Sequence, residues 1–425
     1  MCVAASACAT SPSITASANS AARLDSISEP YVKLVLALGK HDADYVDAYY
    51  GPPQWRAQAD SVKLPLQEIA ARTSALIARL GGIPRPADEM LRLRHSYFAA
   101  QLNALAARVA MLQGRKLTFD EESRALYNAV SPSHPESYFQ QIIDSLGALL
   151  PGDGTVGERY ERYRGQFVIP PAKLDTVFRT ALAECKARTL RHMQLPPGEQ
   201  FRIEYVKNKS WSGYNWYQGN YQSLIQINTD LPIAIDRAVD LACHEGYPGH
   251  HVYNALLEQH LVKQRGWLEY TVYPLFSPQS LIAEGSANYG IEMASPGRER
   301  IEYEKRALWP LAGLDPSGAE QYYRILDMAG RLAYAGNEAA RRYLDGRINA
   351  AEAATWLNKY ALYSPTRAQQ RLRFIDQYRS YVINYNLGKD MVRDYVEKAA
   401  AGNSERRWQT FTALLTSPRL PGDLK

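Results

Sequence analysis

The sequence is poor in cysteine, and none of its cysteines has the spacing of a metal site. Four cysteines occur in 425 residues, and no two of them form a Cys-x-x-Cys pair. This absence excludes zinc-ribbon and thioredoxin-like sites, which depend on such pairs. Cys185 and Cys243 fall within helical patterns, where an unpaired cysteine usually behaves as a small apolar residue of the core. We therefore predict that both are packing residues.

The sequence also lacks long apolar runs, blocks of one charge and Gly/Ser-rich linkers. Without an apolar run of roughly 20 residues, no transmembrane span is expected. The 49 basic and 44 acidic residues are interspersed and leave a net charge of +5, which argues against nucleic acid as a partner. With 46% hydrophobic residues, the chain can bury a large core. We predict one large domain over residues 22–425.

The first 21 residues are rich in Ala, Ser and Thr and show no regular periodicity. They are similar to the end of a secretory signal, and Ala-Ser-Ala-Cys at 5–8 resembles a bacterial lipobox in which Cys8 carries the lipid anchor. A charged start and a full apolar segment are missing from this signal. We predict a signal or lipoprotein remnant, or a disordered tail, over residues 1–21. The expected location is the periplasm or the envelope, with the cytoplasm as the alternative.

Helical periodicity dominates the rest of the chain. Between Pro86 and Gly114, apolar residues recur at steps of three, four and seven, which places one apolar stripe along a helix. Pro near the start and Gly after the end are usual helix boundaries. These stripes are typical of core packing, so the predicted fold class is mainly α. Similar patterns predict helices at 136–149, 171–192, 299–309, 317–344, 350–361, 365–386 and 404–416.

One region is typical of strands. Phe201–Val206 and Ser223–Asn228 are rich in Val, Ile and Tyr or Leu and show partial alternation, and a turn-rich aromatic stretch at 211–219 separates them. We predict a small antiparallel β-sheet beside the helix that carries the histidine motif described next. The segment Ser223–Asn228 is a candidate edge strand that could pair with an extended peptide.

Three of the eight histidines fall within one segment, His-Glu-Gly-Tyr-Pro-Gly-His-His at 244–251. The pattern before it predicts a helix with Asp230 as its N-cap. A helical His-Glu-x-x-His places two histidines on one face, where they bind zinc, and uses the Glu between them as a general base. Glu245 occupies that base position here. The residue four positions after His244, however, is Pro248, which cannot bind a metal.

The spacing of the histidines requires a break in this helix. His250 follows His244 by six residues, which is a rise of roughly 9 Å at about 1.5 Å per residue. Zinc–nitrogen bonds of about 2.0–2.1 Å cannot bridge that distance. Proline removes a backbone donor and glycine accepts unusual dihedrals, so Pro248 and Gly249 supply the break. We predict that two residues loop out and that His244 and His250 bind Zn²⁺, with His251 as the competing second ligand.

Two histidines need a third protein ligand to hold a catalytic zinc ion. Ser277 and Pro278 are a typical helix start, and Glu284 lies in the second turn among apolar and small residues. A buried carboxylate needs a cation or hydrogen-bond donors, and two His plus one Glu form a known catalytic zinc set. We therefore predict Glu284 as the third ligand. Glu292 is the rival ligand, and Asn288 is a candidate to orient a ligand from outside.

The segment at 244–251 resembles the hallmark of a bacterial family known as domain of unknown function 885, which is His-Glu-x-x-Pro-Gly-His-His. That family is similar to the gluzincin metallopeptidases, which hold zinc on His-Glu-x-x-His and a downstream Glu. Its second motif, Glu-Gly-Trp-Ala-Leu-Tyr, corresponds to Glu-Gly-Ser-Ala-Asn-Tyr at 284–289, which keeps the Glu and alters the pocket. The stretch at 381–388 is also family-like, and the resemblance covers the chain from about Ala22 onwards.

The resemblance implies a zinc-dependent peptidase that acts on a peptide substrate and in which Glu245 is the general base for the attacking water. It also favours His250 over His251 as the second ligand. Tyr381, Tyr385 and His251 are candidate donors to the oxyanion, chosen by resemblance and residue type. Arg379 is a candidate to bind a substrate carboxylate. The alternatives are a zinc hydrolase of a non-peptide amide or ester, and a non-catalytic helical envelope protein whose metal is structural.

Overall fold

The computed structural model describes residues 12–424, with side chains from residue 19 onwards. Cys8 and the lipobox-like segment predicted around it lie outside the described residues. Helix α1 (Pro12–Leu38) runs across the domain boundary predicted at Ala22. Within the described range, none of the helices combines the length and the apolar character needed to cross a membrane.

Helices occupy most of the chain up to residue 189, and local sequence explains where several of them begin. Thr118 and Thr155 each accept a hydrogen bond from the backbone N–H three residues later, and the carboxylates of Glu121 and Glu158 accept one from the backbone N–H of the capping threonine. After α1, these helices are α2 (Pro53–Ser61), α3 (Leu66–Gly81), α4 (Glu89–Leu112), α5 (Phe119–Tyr127), α6 (Glu136–Leu149), α7 (Val156–Gly165) and α8 (Leu174–Thr189).

The strands form one small mixed sheet and one short antiparallel pair. They are β1 (Val46–Tyr49), β2 (Gln200–Val206), β3 (Gly213–Gly219), β4 (Gln222–Asn228) and β5 (Val272–Pro274). In the larger sheet β4 lies in the middle, antiparallel to β3 and parallel to β2, while β1 pairs with β5. The prediction that Ser223–Asn228 is an edge strand is therefore wrong. Alternation along a strand reveals its two faces but not its neighbours, and here the edge strands are β2 and β3.

The histidine motif lies on a helix that begins later than predicted. The elements around it are α9 (Asp236–Leu241), a π-helical turn at Ala242–Gly246, α10 (His250–Leu257) and α11 (Pro278–Ala294). Asp230 is not the N-cap of this helix, because its carboxylate accepts hydrogen bonds from the backbone N–H groups of Asn208 and Lys209. It therefore fastens the loop between β2 and β3.

Two long helices predicted in the C-terminal part are each split. The remaining helices are α12 (Gly297–Arg306), α13 (Leu308–Ala312), α14 (Ala319–Gly330), α15 (Ala335–Leu344), α16 (Ala350–Tyr360), α17 (Pro365–Tyr378), α18 (Ile383–Ala400) and α19 (Ser404–Leu415). The segment 317–344 divides into α14 and α15, and 365–386 divides into α17 and α18. The second break is at Arg379, whose φ of 52° is unusual for a residue with a side chain.

The break at Arg379 is held by a buried carboxylate from a distant part of the chain. Glu122 in α5 accepts hydrogen bonds from the Arg379 side chain, from the Ser380 backbone N–H and from the Ser380 hydroxyl. These bonds offset the cost of this sparsely populated backbone conformation, which is of order 1–3 kcal/mol. Because Glu122 lies 257 positions before Arg379, local periodicity could not predict the break.

One continuous apolar core links the described chain. Its buried residues run from Leu24 in α1 to Leu424, and a smaller cluster lies between β4, α8 and α9. Helix α11 lies deep within the core, since every residue from Pro278 to Ala287 is buried. A helix that is buried on all sides can carry a carboxylate only where a positive or donating partner meets it.

Cys185 of α8 and Cys243 of the π-helical turn form a disulfide bond, with their Cα atoms 5.7 Å apart. The prediction that both cysteines are unpaired packing residues is therefore wrong. The helical patterns gave the buried face of each cysteine correctly but could not show that the two faces meet. The bond ties the turn that precedes His244 to α8. Such bonds persist mainly in oxidising compartments.

We expect loss of this disulfide to destabilise the fold substantially. The bond closes a loop with a sequence separation of 58. In the chain-entropy treatment, a loop of this length contributes about 4 kcal/mol to the free energy of unfolding. Denaturant unfolding with and without a reductant measures the contribution, and Cys185→Ser should unfold at the same midpoint in both conditions. Free thiols at both positions in the oxidised native protein would contradict the assignment.

Candidate metal centre

The helix that carries His244 breaks where the sequence predicted. After α9 the chain widens into the π-helical turn, Tyr247 is extended with φ −124° and ψ 116°, and α10 begins at His250. The Tyr247–Pro248 peptide bond is cis. The prediction that Pro248 and Gly249 interrupt the helix is therefore confirmed. The break folds the chain back so that both histidine side chains face the same space.

Gly249 is required for this break because the backbone passes very close to it. A Cβ atom at this position would lie 1.8 Å from the carbonyl oxygen of His244 and 2.4 Å from that of Cys243. These contacts involve backbone atoms, so no side-chain rotation can relieve them. Only glycine allows the two histidine-bearing segments to approach this closely.

Gly249→Ala is expected to disrupt both the fold and metal binding. The clash with two backbone carbonyl groups should lower the free energy of unfolding by more than about 3 kcal/mol and displace His250. Denaturant unfolding and metal analysis of the purified variant measure the two effects. Gly330→Ala is the matched control, because a Cβ there would meet no atom within 4 Å. Normal stability and a full metal equivalent in Gly249→Ala would show that the close approach is absent.

A second close approach brings Glu284 to the histidines. Helices α11 and α18 cross where Gly285 meets Gly388, and a Cβ at Gly285 would lie 2.4 Å from the Gly388 carbonyl. Because neither glycine carries a side chain, the two helices pack backbone to backbone. Glu284 on α11 is thereby placed between the histidines and the residues at the start of α18.

The nitrogen and oxygen atoms of three predicted ligands form a nearly equilateral triangle. His244 Nε2 and His250 Nε2 are 3.2 Å apart. Glu284 Oε2 lies 3.3 Å from His244 Nε2 and 3.6 Å from His250 Nε2. All three side chains are largely shielded from solvent. The triangle joins the π-helical turn, α10 and α11.

These distances fit a tetrahedral zinc ion. Ligand atoms bonded to zinc at about 2.0–2.1 Å in tetrahedral geometry lie roughly 3.3–3.4 Å from one another, and the three measured separations bracket this value. Glu284 Oε2 is buried and has no hydrogen-bond partner among the residues that the structure describes. A buried carboxylate oxygen that lies close to two imidazole nitrogens but has no hydrogen bond is an arrangement that a shared cation resolves.

Glu245 lies beside the triangle and fits less well as a ligand. One ligand atom from each of His244, Glu245 and His250 lies within 4.8 Å of the others. The distance from Glu245 Oε1 to His244 Nε2 is 4.0 Å, however, which is longer than tetrahedral zinc permits. We therefore infer that Glu284, and not Glu245, completes the candidate ligand set. This leaves the carboxylate of Glu245 available for proton transfer.

The electrostatics of the cluster favour a positive charge between the three candidate ligands. Burial opposes ionisation of Glu284, but the two imidazoles hold its pKa well below the ordinary value. Burial likewise opposes the charged form of His250, but Glu284 raises the pKa of His250 to about 9. Burial raises the pKa of Glu245, which makes this carboxylate a stronger proton acceptor.

Tyr381 fixes the orientation of Glu284. Its hydroxyl donates a hydrogen bond to Glu284 Oε1 over 2.8 Å, which turns the other carboxylate oxygen toward the histidines. The predicted role of Tyr381 as an oxyanion donor does not fit this contact, because its only hydroxyl proton is already committed. Tyr381 is a positioning residue, and the turn held by Glu122 is what aims it at Glu284.

Tyr385 lies one helical turn after Tyr381 and keeps its hydroxyl available. Its pKa is raised by burial and by the charges of Glu284 and Glu245, while Arg371 opposes the shift. No hydrogen bond joins its hydroxyl to another residue between positions 12 and 424. Of the predicted oxyanion donors, Tyr385 alone therefore has an uncommitted hydroxyl beside the cluster.

The structure does not place His251 in the cluster. Its Nδ1 lies 2.8 Å from the Ser223 hydroxyl, and its Nε2 lies 2.8 Å from Glu199 Oε2. The side chain is completely buried, and both ring nitrogens are occupied. His251 therefore fits neither the competing ligand position nor the predicted role of oxyanion donor. It fastens α10 to β4 and to the residue that precedes β2.

The other candidates from the sequence lie outside the triangle. Glu292 forms an ion pair with Lys389 at the periphery. The Asn288 amide donates to the backbone carbonyls of Glu284 and Tyr385, so it braces two helices rather than a ligand side chain. The Nε of Arg379 donates to Glu122, so part of this guanidinium is committed to holding the break before α18.

Sequence reasoning missed Asp47. This residue lies on β1, and its carboxylate accepts a hydrogen bond from Tyr214 of β3. Burial raises the pKa of Asp47 to about 6, and His250 and Glu284 also act on it, which places it within electrostatic reach of the cluster. A four-residue strand carries no local signal that would single out its acid. The contact depends on the fold bringing β1 to β3.

A cleft of about 730 Å³ lies beside Asp47, and none of the candidate ligands lines it. Its lining includes the aromatic side chains of Trp211, Tyr214, Trp216 and Tyr378. The Tyr378 ring lies 6.1 Å from that of Tyr381, which connects the cleft to the residues around Glu284. The cleft is large enough for several residues of an extended chain.

No protein-family model and no curated protein sequence matches the chain. Among solved structures, it is similar to a protein described as a lipoprotein from Colwellia psychrerythraea, with a TM-score of 0.53 and 16% identity over 87% of this chain and 70% of that one. This likeness shows a shared fold.

Two further solved structures are less similar. One is described as a lipoprotein of unknown function from Shewanella oneidensis, with a TM-score of 0.44 and 11% identity over 85% of this chain and 76% of that one. The other is metallocarboxypeptidase 1 of Trypanosoma cruzi, with a TM-score of 0.43 and 11% identity over 94% of this chain and 91% of that one. Neither likeness is close enough to carry an argument about function.

Proposed function

We propose that this chain is a zinc-dependent peptidase in which His244, His250 and Glu284 hold the metal. The observation that carries the proposal is the triangle of Nε2, Nε2 and Oε2 atoms, whose sides of 3.2, 3.3 and 3.6 Å match tetrahedral zinc. We also propose membership of the domain of unknown function 885 family, on the residues at 244–251 and 284–289.

Three protein ligands favour a catalytic rather than a structural metal. Structural zinc sites are normally closed by four protein ligands, whereas catalytic sites keep one position open. His251 is engaged with Ser223 and Glu199, so it is not placed to close this site. When bound, zinc lowers the pKa of water to about 7 and polarises the carbonyl group that water attacks.

Glu245 has the position and the environment of a general base. Its side chain is buried beside the triangle, and its Oε2 has no hydrogen-bond partner among the described residues. Such a carboxylate would accept a proton from the attacking water and return it to the leaving amine. The Asn215 amide donates to the backbone carbonyl of Glu245 over 2.7 Å and holds this residue against β3.

The edge of β3 supports a peptide as the substrate. This strand has a single partner in its sheet, and a Cβ at Gly213 would lie 2.7 Å from Glu245 Oε1. An extended peptide that follows such an edge could hydrogen-bond to the strand and present a backbone carbonyl near Glu245. Tyr385 is the residue best placed to donate to the developing oxyanion.

An oxidising location agrees with this proposal. We propose that the protein is exported, because the bond between Cys185 and Cys243 is typical of proteins outside the reducing cytosol. A lipid anchor at Cys8 remains part of this proposal. Mass spectrometry of the N-terminus of the native protein tests it, and an unmodified Met1 in a cytosolic fraction would contradict it.

Metal-dependent peptide cleavage tests the proposed function directly. We expect the purified protein to contain about one zinc ion, to cleave members of a peptide library, to lose this activity with a chelator and to regain it with zinc. A library of non-peptide amides and esters, assayed in parallel, separates the alternative hydrolase. Zinc binding without hydrolysis of either library would favour the non-catalytic alternative.

A further inference from the structure

Two arginines on α17 have no acidic partners in the described part of the chain, and one of them, Arg371, lies beside Tyr385 of the candidate site. Arg367 and Arg371 are one helical turn apart, so they share a face of the helix. Neither forms an ion pair with a carboxylate side chain between positions 12 and 424, and Nε of Arg371 is buried without a hydrogen-bond partner. Buried donors of charged groups are rarely left unpaired, which suggests that a ligand supplies the acceptor.

Aromatic side chains hold both guanidinium groups in place. The Arg367 Cζ lies 4.6 Å from the centre of the Tyr363 ring, and the Arg371 Cζ lies 4.7 Å from that of Phe374. The Arg371 Cζ also lies 5.9 Å from the centre of the Tyr385 ring. Stacking fixes the plane of a guanidinium group and leaves its edge donors free for a planar anion.

Arginines outnumber aspartates by one in the cavity beside Arg367. This cavity of about 300 Å³ is lined by Arg164, Arg237, Arg300 and Arg367 and by Asp236, Asp240 and Asp327. Arg164 pairs with Asp236, and Arg237 pairs with the neighbouring Asp240, whereas Arg367 has no such partner. Like charges in a partly buried space raise the free energy unless an anion compensates them. Burial and these neighbouring cations lower the pKa of Arg367.

Two arginines of this region, Arg371 and Arg237, lie next to residues of the candidate centre. On one side, Arg371 contacts the ring of Tyr385, which we propose as the oxyanion donor. On the other side, Nη2 of Arg237 lies 3.5 Å from the hydroxyl of Ser212, the residue before Gly213. Gly213 is the position at which β3 packs against Glu245. An anionic group bound here could therefore belong to the same peptide whose scissile bond lies near Glu245.

We propose that Arg367 and Arg371 bind a carboxylate of the peptide substrate close to the bond that is cleaved. The planar fork of a guanidinium matches a carboxylate, and charge-assisted hydrogen bonds of this kind are strong. The substrate class is then peptides with a free C-terminal carboxylate, or an acidic side chain, near the scissile bond. This inference rests on the proposed peptidase function, and it assigns to α17 the role that the sequence suggested for Arg379.

Matched peptides test the proposal. N-acylated tripeptides with a free C-terminal carboxylate are compared with the corresponding carboxamides, and peptides with an internal Glu are compared with those with Gln. The wild type, Arg367→Gln, Arg371→Gln and Arg371→Lys are assayed for kcat/KM and zinc content. Arg324→Gln is the control, because it removes the same charge from an exposed position on α14.

The proposal predicts that the wild type prefers the carboxylate peptide of one pair. Each Gln variant should lower kcat/KM for that peptide by roughly 10- to 150-fold, the range for loss of a charge-assisted hydrogen bond, and should leave the uncharged peptide nearly unaffected. Zinc content should not change, Arg371→Lys should restore part of the preference, and Arg324→Gln should resemble the wild type. The preferred pair identifies the source of the carboxylate.

Two results would overturn the proposal without affecting the proposed function. One is a wild type that cleaves the charged and uncharged members of both pairs equally well. The other is an equal loss on both members in the Gln variants, which would indicate that the arginines only support the fold. If the wild type cleaves none of these peptides, nor any member of the wider library, the peptidase function fails as well.

Discussion

Glu245→Gln is expected to retain zinc and to lose activity by roughly 10²- to 10⁴-fold in kcat/KM, the range for removal of a general base. The substitution keeps the shape of the side chain but removes its ability to accept a proton. The carboxylate of Glu245 is buried beside the candidate ligands, and at 4.0 Å its Oε1 lies outside bonding distance of an ion shared with His244. The metal should therefore remain while turnover falls.

Zinc content and peptide cleavage, measured on the same preparation, separate the two effects. Glu292→Gln is the control, because this residue also lies on a helix and carries a carboxylate but pairs with Lys389 away from the triangle. We expect Glu292→Gln to behave as the wild type does. Near-normal cleavage by Glu245→Gln would remove this residue from the role of base, and loss of zinc would move it into the ligand set.

His250→Ala is expected to weaken zinc binding by at least about 100-fold. Loss of a residue that only supports a metal ligand costs up to about 100-fold in affinity, and loss of a ligand itself should cost at least as much. His250 Nε2 lies 3.2 Å from His244 Nε2 and 3.6 Å from Glu284 Oε2, so its removal opens one corner of the triangle. Competition with a chromophoric chelator measures the affinity. Activity should fall at zinc concentrations that saturate the wild type.

The neighbouring histidine provides a matched control. His251→Gln changes the same residue type one position later, but this side chain is bonded to Ser223 and Glu199. It should keep its zinc and lower the free energy of unfolding by about 1–3 kcal/mol, the cost of leaving a buried partner unsatisfied. Loss of zinc in His251→Gln with normal affinity in His250→Ala would exchange the roles of the two histidines.

The parts of the site that local sequence determines could be predicted. The helix break at Pro248 and Gly249 follows from the dihedral properties of those residues, and the close pair of His244 and His250 follows from the break. Glu284 could be identified because a carboxylate among apolar residues on a helix needs a partner. The mainly α fold is confirmed by the observed helices. It could be predicted because helical periodicity is a property of each segment by itself.

The parts that depend on long-range contacts could not be predicted. Asp47 reaches the cluster through the packing of β1 on β3, and Glu122 breaks a helix that lies 257 positions later. The position of β4 in the middle of its sheet depends on β2 pairing in parallel with it. The pairing of Cys185 with Cys243 and the lack of an acidic partner for Arg367 among the described residues likewise depend on which helices meet. No local sequence pattern encodes this.

The location of a bound zinc ion tests the central claim most directly. We propose anomalous diffraction at the zinc absorption edge from crystals of the full chain prepared with zinc. The account predicts one strong peak within about 2.0–2.3 Å of His244 Nε2, His250 Nε2 and Glu284 Oε2, with Glu245 outside bonding distance. A peak bonded to Glu245 or His251 instead of Glu284 or His250, or no peak near these residues, would contradict it.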